Sequence, residues 1–288
     1  MKIFYLDHNI YIYALSDLSI LNAINTCKGK KIRFAYSPAH IEETYKALVD
    51  NGDSYLSTAE KILESISKVT NNLELLPSNG GIIFLREHPT DCYRRVFGID
   101  TTDRIKADSK QRFQTDTNSY HALLAEDKHY QSISTVAPEK IWEIPIIVNA
   151  ISEINQNMPI TVRRYNLSPD ILFCATLGAD KRLPADLQIE QNSFQRLKKS
   201  HTQLEYVIEI LFRILALCGY NADKSETTAI SGTHDVSHAI YATEATILFT
   251  TDKRFAQRCR AVYHFLGIST QVVVCKPDQI PLTLQSNM

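Results

Sequence analysis

Glycine is scarce in this 288-residue chain, which contains only nine glycine residues. Neither the G-x-G-x-x-G pattern nor the G-x-x-x-x-G-K-[ST] pattern occurs. The glycine-rich turns that bind phosphate in dinucleotide-binding and P-loop proteins are therefore missing, which excludes those two classes of enzyme.

The chain also lacks an excess of charge of either sign. Its 31 Lys and Arg residues nearly balance its 32 Asp and Glu residues, and the formal net charge is -1. No global basic field indicates a nucleic-acid or membrane partner. Any charged binding site must come from local clustering of residues.

Paired cysteines and long hydrophobic runs are absent as well. The six cysteines are scattered without a C-x-x-C pair, which predicts buried thiols in a reducing cytosol rather than a zinc site or a disulfide framework. The most apolar helical stretch, residues 206–217, contains Glu209 and Arg213 and is shorter than the ~20 residues that cross a bilayer. A polar cluster at residues 7–9 interrupts the hydrophobic run that a signal peptide needs. We expect a soluble, cytoplasmic protein.

Strand and helix patterns alternate at both ends of the chain. Helical periodicity follows most of the short β-prone apolar segments, which predicts an α/β fold with a central parallel sheet of four or five strands, built from both ends of the chain as a layered sandwich. The predicted strands are residues 2–6, 31–36, 73–76, 246–250 and 271–275. The predicted helical segments between them are residues 10–15 with 18–24, 38–49, 53–69, 235–244 and 253–266.

The middle of the chain has a different pattern. The sequence Ser-Asn-Gly-Gly at residues 78–81 indicates a loop, and the following residues show helical patterns and no clear strand pair. We predict one domain from residues 1–77 and 226–288, with residues 78–225 forming a helical insertion. Its predicted helices are residues 118–129, 139–154, 185–199 and 202–217, separated by Pro159, Pro169 and Pro184. The tail from Lys276 is expected to be a loop.

Four acidic residues are candidates for a functional site. Asp7 and Asp252 follow predicted strands, at the carboxyl edge where parallel sheets bind ligands. Glu43 lies six residues after Ser37, on the side of its helix that can face that edge. Asp235 is predicted to begin the helix before the strand that leads to Asp252. Each acid alone has an ordinary alternative: a helix cap for the three aspartates and a solvated position for the glutamate.

Taken together, these acids imply a cation. Four carboxylates at one sheet edge would raise one another's pKa unless a positive charge lay between them. Oxygen ligands without a Cys/His set suit Mg²⁺ or Mn²⁺, ions that proteins usually share with substrate phosphates. The pattern therefore points to phosphate-ester chemistry.

Four segments of the chain carry a family resemblance. They read YLDHN at residues 5–9, SPAHIEE at 37–43, DVSHAIYA at 235–242 and LFTTDKRF at 248–255. In this order they resemble the motifs of PIN-domain nucleases, whose fold is a three-layer α/β sandwich. The resemblance covers roughly residues 1–77 and 232–275, and the last two segments are the most specific.

The resemblance implies a Mg²⁺- or Mn²⁺-dependent endoribonuclease. Its metal-binding, catalytic carboxylates would be Asp7, Glu43, Asp235 and Asp252. The auxiliary polar positions of the family are matched by Asn9, by Thr250 or Thr251, and by His238. The expected substrate is RNA, such as tRNA or another structured RNA, with DNA as an open alternative. By analogy, the large insertion suggests a toxin or defence effector with a regulatory protein partner, and self-association stays open.

Two positions depart from the family pattern. His8 stands where a small or apolar residue is more usual, and His238 takes a position that is often apolar. These two imidazoles either face the site or cap helices. Glu42 precedes Glu43 and leaves a one-residue ambiguity, although the six-residue step from Ser37 favours Glu43.

Local basic groups are candidates for binding the phosphate backbone. Arg163 and Arg164 stand beside Tyr165, whose ring could stack on an unpaired base. Lys253 and Arg254 are close in sequence to Asp252. The ordinary alternative for each is a solvated surface position.

Three alternative interpretations fit parts of the sequence. A PIN-like protein that binds RNA or protein without cutting keeps the same motifs. A haloacid-dehalogenase-type phosphatase would need Asp-x-Asp, whereas Asn9 occupies the third position here. A zinc site at His121, Glu126 and His129 lacks the H-E-x-x-H spacing.

Overall fold

The structure is a computed structural model that describes residues 2–97, 133, 135–167, 182–221 and 226–288. Six strands are formed: β1 (Ile3–Leu6), β2 (Arg33–Ala35), β3 (Leu73–Ser78), β4 (Gly81–Arg86), β5 (Ile247–Thr250) and β6 (Gln271–Val274). The first helices are α1 (His8–Ser16), α2 (Leu18–Gly29), α3 (Pro38–Asn51), α4 (Leu56–Thr70) and α5 (Pro89–Phe97). The later helices are α6 (Pro145–Asn166), α7 (Phe194–Leu197), α8 (His201–Leu217), α9 (Glu226–Tyr241), α10 (Lys253–Leu266) and α11 (Ile280–Ser286). Short 3₁₀ helices lie at Gly52–Tyr55, Ile141–Glu143, Ala242–Glu244 and Pro277–Gln279.

The central sheet has four parallel strands in the order β2-β1-β5-β6. Strands from the first 35 residues therefore lie beside strands from the last 45. Phe4 of β1 stands opposite Phe34 of β2 and Ile247 of β5. The predicted α/β fold with a central parallel sheet is confirmed, and its layers are compatible with a three-layer sandwich.

Strand β1 is buried on both faces, as expected for a central parallel strand covered by helices. Because side chains alternate along a strand, Phe4 and Leu6 point to one face and Tyr5 to the other. The first face packs against α1, α2, α4 and α11. The second face packs against α8, α9 and α10. The middle of the chain contributes to this second core through α8, which packs against α9, α10 and β4.

The predicted third strand is the first strand of a β-hairpin. Strand β3 pairs antiparallel with β4 and reaches β2 only through a bridge between Tyr36 and Glu74. The prediction that no strand pair follows Ser78 is wrong. The Ser-Asn-Gly-Gly sequence is the turn of this hairpin, in which Ser78 pairs with Gly81 and Gly81 adopts a φ of 112°. A glycine suits that backbone conformation because it has no Cβ.

Helix α6 differs from its prediction. A 3₁₀ turn at Ile141–Glu143 precedes it, and the helix begins only at Pro145. It then continues through Pro159, which was predicted to separate helices. Met158 and Val162 are buried on either side of that proline. Burial of these side chains outweighs the hydrogen bond that a proline removes from a helix.

The predicted helix at residues 185–199 is wrong except for the single turn α7. In the residues before that turn, the side chains of two asparagines form hydrogen bonds with the backbone. These backbone polar groups are therefore satisfied without a helix. Asn155 bonds to both backbone groups of Ile189, and Asn166 bonds to both of Leu183. The predicted helix at residues 202–217 is confirmed as α8. The helix predicted at residues 118–129 lies outside the described residues.

The tail was predicted to be a loop from Lys276, but it forms helix α11. Ile280 and Leu284 of this helix are fully buried. The thiol of Cys27 in α2 donates to the carbonyl of Leu284, with 3.8 Å between Sγ and O. Two apolar residues four positions apart therefore hold this short helix against α2.

The cysteines that the structure describes are buried and free, as predicted: Cys27, Cys92, Cys218, Cys259 and Cys275. Cys174 lies outside the described residues. Among the helices described, none is long and apolar enough to cross a membrane.

Candidate functional site

Two of the predicted acids meet at the carboxyl edge of the central sheet. Asp7 follows β1 directly, and Asp252 lies two residues after β5, the neighbouring strand. The backbone N–H of Asp7 donates to the carbonyl of Phe249 (2.8 Å), which continues the pairing of the two strands. The pairing of β1 with β5 thus brings together residues from opposite ends of the chain.

The hydroxyl of Thr250 joins these two acids. It donates to Oδ2 of Asp7 (2.7 Å) and accepts from the backbone N–H of Asp252 (3.0 Å). Of the two threonines left open by the sequence, Thr250 is fully buried and makes this connection, whereas Thr251 is half-buried.

The helix-cap alternative applies to one of these aspartates only. Asp7 precedes α1, but its side chain makes no capping hydrogen bond in the described part of the chain. Oδ1 of Asp252 accepts from the N–H groups of Arg254 (2.7 Å) and Phe255 (3.0 Å), so this residue caps α10. Oδ2 of Asp252 takes no part in the cap.

Glu43 lies between two imidazole rings. Its carboxylate is 3.8 Å from Nδ1 of His8 and 3.6 Å from Nε2 of His238. Both histidines are buried, and Glu43 itself is only 20% exposed, so it is not a solvated surface residue. The neighbouring Glu42 turns toward His234 instead, at 3.8 Å.

Asp235 lies inside helix α9 rather than at its beginning. The prediction that it begins a helix is wrong, because α9 already begins at Glu226. Its carboxylate contacts the guanidinium of Arg258 (3.2 Å) instead of capping a helix. The shared helix places Asp235 and His238, three residues apart, on one face.

The site carboxylates are near enough to affect one another's protonation. Burial, with a contribution from the charge of Glu43, raises the pKa of Asp7 to about 6. Burial also raises the pKa of Asp235 well above its ordinary value, and Arg258 offsets this only in part. The charges of the other acids add to this rise: Asp7, Glu43 and Asp252.

The neighbouring histidines lower the pKa of Glu43, whereas the pKa values of Asp7 and Asp235 are raised. Burial would raise the pKa of Glu43, but His8 and His238 outweigh it and hold that pKa below its ordinary value. Burial would lower the pKa of His238, but Glu43, Asp7 and Asp235 outweigh it and raise that pKa. Burial lowers the pKa of His8. Of Asp7, Glu43 and Asp235, Glu43 is therefore the acid that stays ionised most readily.

A buried polar network lies behind the site, and the sequence analysis did not predict it. The hydroxyl of Tyr5 lies 2.6 Å from Oγ of Ser37 and 2.7 Å from Nδ1 of His238. Nε2 of His40 donates to the carbonyl of Leu6 (2.8 Å), while its Nδ1 accepts from the N–H of Ser37 (3.1 Å). Ser37 and His40 form a capping box in which histidine takes the place of the usual Glu or Gln. The three-residue spacing of Ser37 and His40 was the feature of the sequence that could have predicted this capping box.

The remaining predicted residues lie farther out. Arg163 and Arg164 are exposed in the last turn of α6, and Tyr165 packs edge-on against Tyr206 with ring centroids 5.4 Å apart. Tyr165 is half-buried there, so its ring already contacts protein. The others are spread along α1 and α10: Asn9 and Lys253 are exposed, and Arg254 is half-buried.

The site fits a divalent cation in two respects. Nδ1 of His8 and Nε2 of His238 are buried beside Glu43 without a hydrogen-bond partner among the described residues. Burial raises the pKa values of Asp7 and Asp235, and the negative charges of neighbouring acids add to the rise. A cation would stabilise those carboxylates in their ionised form.

A tighter group of potential ligands lies elsewhere. Among the described residues, Glu74, Glu87 and Cys92 form the one group of three whose ligand atoms lie within 4.8 Å of one another, so this cluster could hold a metal ion. However, Nη2 of Arg95 lies 2.6 Å from both glutamates. Its guanidinium already supplies the positive charge, and we interpret this cluster as an ion pair between a buried glutamate and an exposed arginine.

Comparisons of the chain with models of protein families, with curated proteins and with solved structures find no match.

Proposed function

We propose that this protein is a divalent-metal-dependent nuclease of the PIN-domain type that hydrolyses phosphodiester bonds in RNA. The observation that supports the proposal is that Asp7 and Asp252 follow neighbouring strands at the carboxyl edge of a parallel sheet, with the charges of Glu43 and Asp235 close enough to affect their surroundings. Ligands of open parallel sheets bind at this edge. The raised pKa values of Asp7 and Asp235 are what such acids display when no cation is present.

These four carboxylates would hold Mg²⁺ or Mn²⁺. A bound ion would supply Lewis-acid chemistry there, which makes a coordinated water molecule more acidic and neutralises charge on the leaving oxygen. Thr250 fixes the rotamer of Asp7 through its hydrogen bond, and the cap fixes Oδ1 of Asp252. Tyr5 holds the ring of His238, whose Nε2 faces Glu43.

Exposed basic residues in two parts of the chain would bind the RNA backbone. Lys253 is exposed at the start of α10, next to Asp252. Arg163 and Arg164 add positive charge on the surface of the middle segment, where they would contact phosphates of a longer substrate. A role as a toxin or defence effector, with a protein partner, belongs to the same proposal.

The proposal is tested with labelled RNA and DNA in Mn²⁺, Mg²⁺ or EDTA. We expect cleavage in either metal, none in EDTA, and 5′-phosphate product ends. Asp7→Asn and Asp235→Asn should abolish cleavage, whereas Asp278→Asn, at an exposed residue outside the site, should leave it unchanged. Cleavage that persists in excess EDTA, or products with 2′,3′-cyclic phosphate, would overturn the proposal.

One observation favours a second function, binding without cleavage. Arg258 already pairs with Asp235, and two histidines flank Glu43, so the protein supplies part of the compensating charge itself. A protein of this kind would bind RNA with equal affinity in EDTA and in Mn²⁺ and would cut it in neither. The same assay, with RNA retention measured beside cleavage, separates the two functions.

A further inference from the structure

A basic cleft lies at the opposite edge of the sheet from the acids. Its cavity has a volume of about 480 Å³ and opens where β2 and β3 begin, beside the end of α4. The proposed nuclease site lies at the carboxyl ends of the strands, whereas this cleft lies at an amino end. It is therefore a separate place on the molecule.

Four cationic side chains line this cleft: Lys28, Lys31, Arg33 and Arg86. The described residues that line it include no acid. In a chain whose net charge is -1, this concentration does not follow from composition. Like charges around one cavity repel, so an anion among them would be favourable.

One of the four cations has a structural explanation. Nζ of Lys28 donates to the carbonyl of Lys68 and to Oδ1 of Asn71, at the end of α4. A lysine there compensates the partial negative charge of the helix end. The other three have no such explanation.

The exposed side chains of Lys31, Arg33 and Arg86 form no hydrogen bond or ion pair with any residue that the structure describes. The two guanidinium groups come from the beginning of β2 and from the end of β4, which pairs with the beginning of β3. Planar guanidinium groups suit the oxygens of a phosphate group because each can donate two parallel hydrogen bonds.

The rest of the cleft is apolar or neutral. Its walls are Ile32, Phe34, Val69 and Leu73, with Thr70 and Asn71 at the end of α4. Both Lys31 (φ 63°) and Asn71 (φ 51°) adopt left-handed backbone conformations. These conformations belong to the turns that end α2 and α4, and in the first of them the N–H of Ile32 donates back to the carbonyl of Cys27.

We infer that this cleft binds a phosphate monoester joined to an apolar or aromatic group, the class that includes the mononucleotides. The unpartnered guanidinium groups match the phosphate, and the apolar walls match the rest of such a ligand. The volume falls within the roughly 300–1,000 Å³ of small-molecule sites. This inference does not depend on the proposed nuclease function.

Calorimetric titration in EDTA tests the inference, with adenosine 5′-monophosphate, adenosine and inorganic phosphate as probes. We expect the monophosphate to bind more tightly than either fragment. The double variant Arg33→Gln/Arg86→Gln should weaken its binding by about tenfold or more, because each charged hydrogen bond contributes substantially. The matched control Lys276→Gln changes an exposed lysine outside the cleft and should leave the affinity unchanged.

Further experiments distinguish a free monophosphate from an RNA strand end as the ligand, and this cleft from the proposed nuclease site. Competition of the monophosphate with a 5′-phosphorylated RNA, but not with its 5′-hydroxyl form, would support the inference with a strand end as the ligand. RNA binding that ignores the 5′ end, without monophosphate binding, would overturn it. So would monophosphate binding that the double variant does not change. Asp7→Asn should retain monophosphate binding, which distinguishes this result from any failure of the nuclease proposal.

Discussion

At the scale of single residues, Thr250 shows how one hydroxyl organises a charged site. It contacts the carboxylate of Asp7 and the backbone of Asp252 at once. Serine at this position would lose the fixed rotamer of a β-branched side chain, and valine would lose the hydroxyl. The geometry of the acids therefore depends on a residue that binds no ligand itself.

We predict that Asp7→Asn stabilises the fold above neutral pH when no metal is present. The pKa of Asp7 rises on folding from 3.8 to about 6, so the folded state keeps a proton that the unfolded state has lost. This proton difference makes stability fall as pH rises between those values, and ionised Asp7 then costs up to about 3 kcal/mol. The amide removes that cost.

The measurement is urea unfolding in EDTA at pH 4 and pH 8. The variant should match the wild type at pH 4 and exceed it at pH 8. Asp278→Asn, at an exposed carboxylate, should shift neither value. A variant less stable than the wild type at pH 8 would show that the charge of Asp7 supports the fold.

At the scale of secondary-structure elements, replacing either of two adjacent arginines of α5 is expected to change the stability of the fold by very different amounts. Arg95 pairs with Glu74, which is completely buried, whereas Arg94 pairs with Asp91 on the surface. We predict that Arg95→Leu costs about 1–3 kcal/mol because it leaves the buried carboxyl group of Glu74, whose pKa burial already raises to about 7, without its partner. Arg94→Leu should change stability by less than about 1 kcal/mol. Equal effects in chemical denaturation would contradict the ion-pair interpretation of this cluster.

Two prolines of α6 offer a second matched comparison. Pro159 lies exposed inside the helix, and Pro145 occupies its first turn. We predict that Pro159→Ala raises the melting temperature, because proline in a helix interior costs up to about 3 kcal/mol. Pro145→Ala should not raise it, because proline suits the first turn. A lower melting temperature for Pro159→Ala would mean that a kink at this position is needed for packing.

The sequence predicted those features that depend on local pattern. Asp7 directly follows an apolar run, and residues 202–217 have uninterrupted helical periodicity, so both could be placed without the fold. The partners of Asn155 and Asn166 lie far along the chain, and so these side chains gave no sign that they replace a helix. The Tyr5 network depends on strand and helix packing and has no sequence period.

At the scale of the whole molecule, charge distribution matters more than net charge. We predict that neutralising Arg163 and Arg164 together weakens RNA binding and reduces its salt dependence by up to about two units of logarithmic slope. The physical reason is that each phosphate contact releases counterions. Filter binding at several salt concentrations measures this, with exposed Lys140→Gln as the control. An unchanged slope would place the RNA elsewhere on the surface.

The pairing of β1 with β5 also determines when the molecule can be completed during its synthesis. Thr250 follows Asp7 by 243 residues along the chain. At the usual speed of translation, this separation corresponds to roughly 12–50 s. Throughout that time the growing polypeptide exposes one edge of β1, which is a position open to mispairing and to chaperones. The acids from the two parts of the chain can meet only after β5 and Asp252 have left the ribosome, so any cleavage activity begins only then.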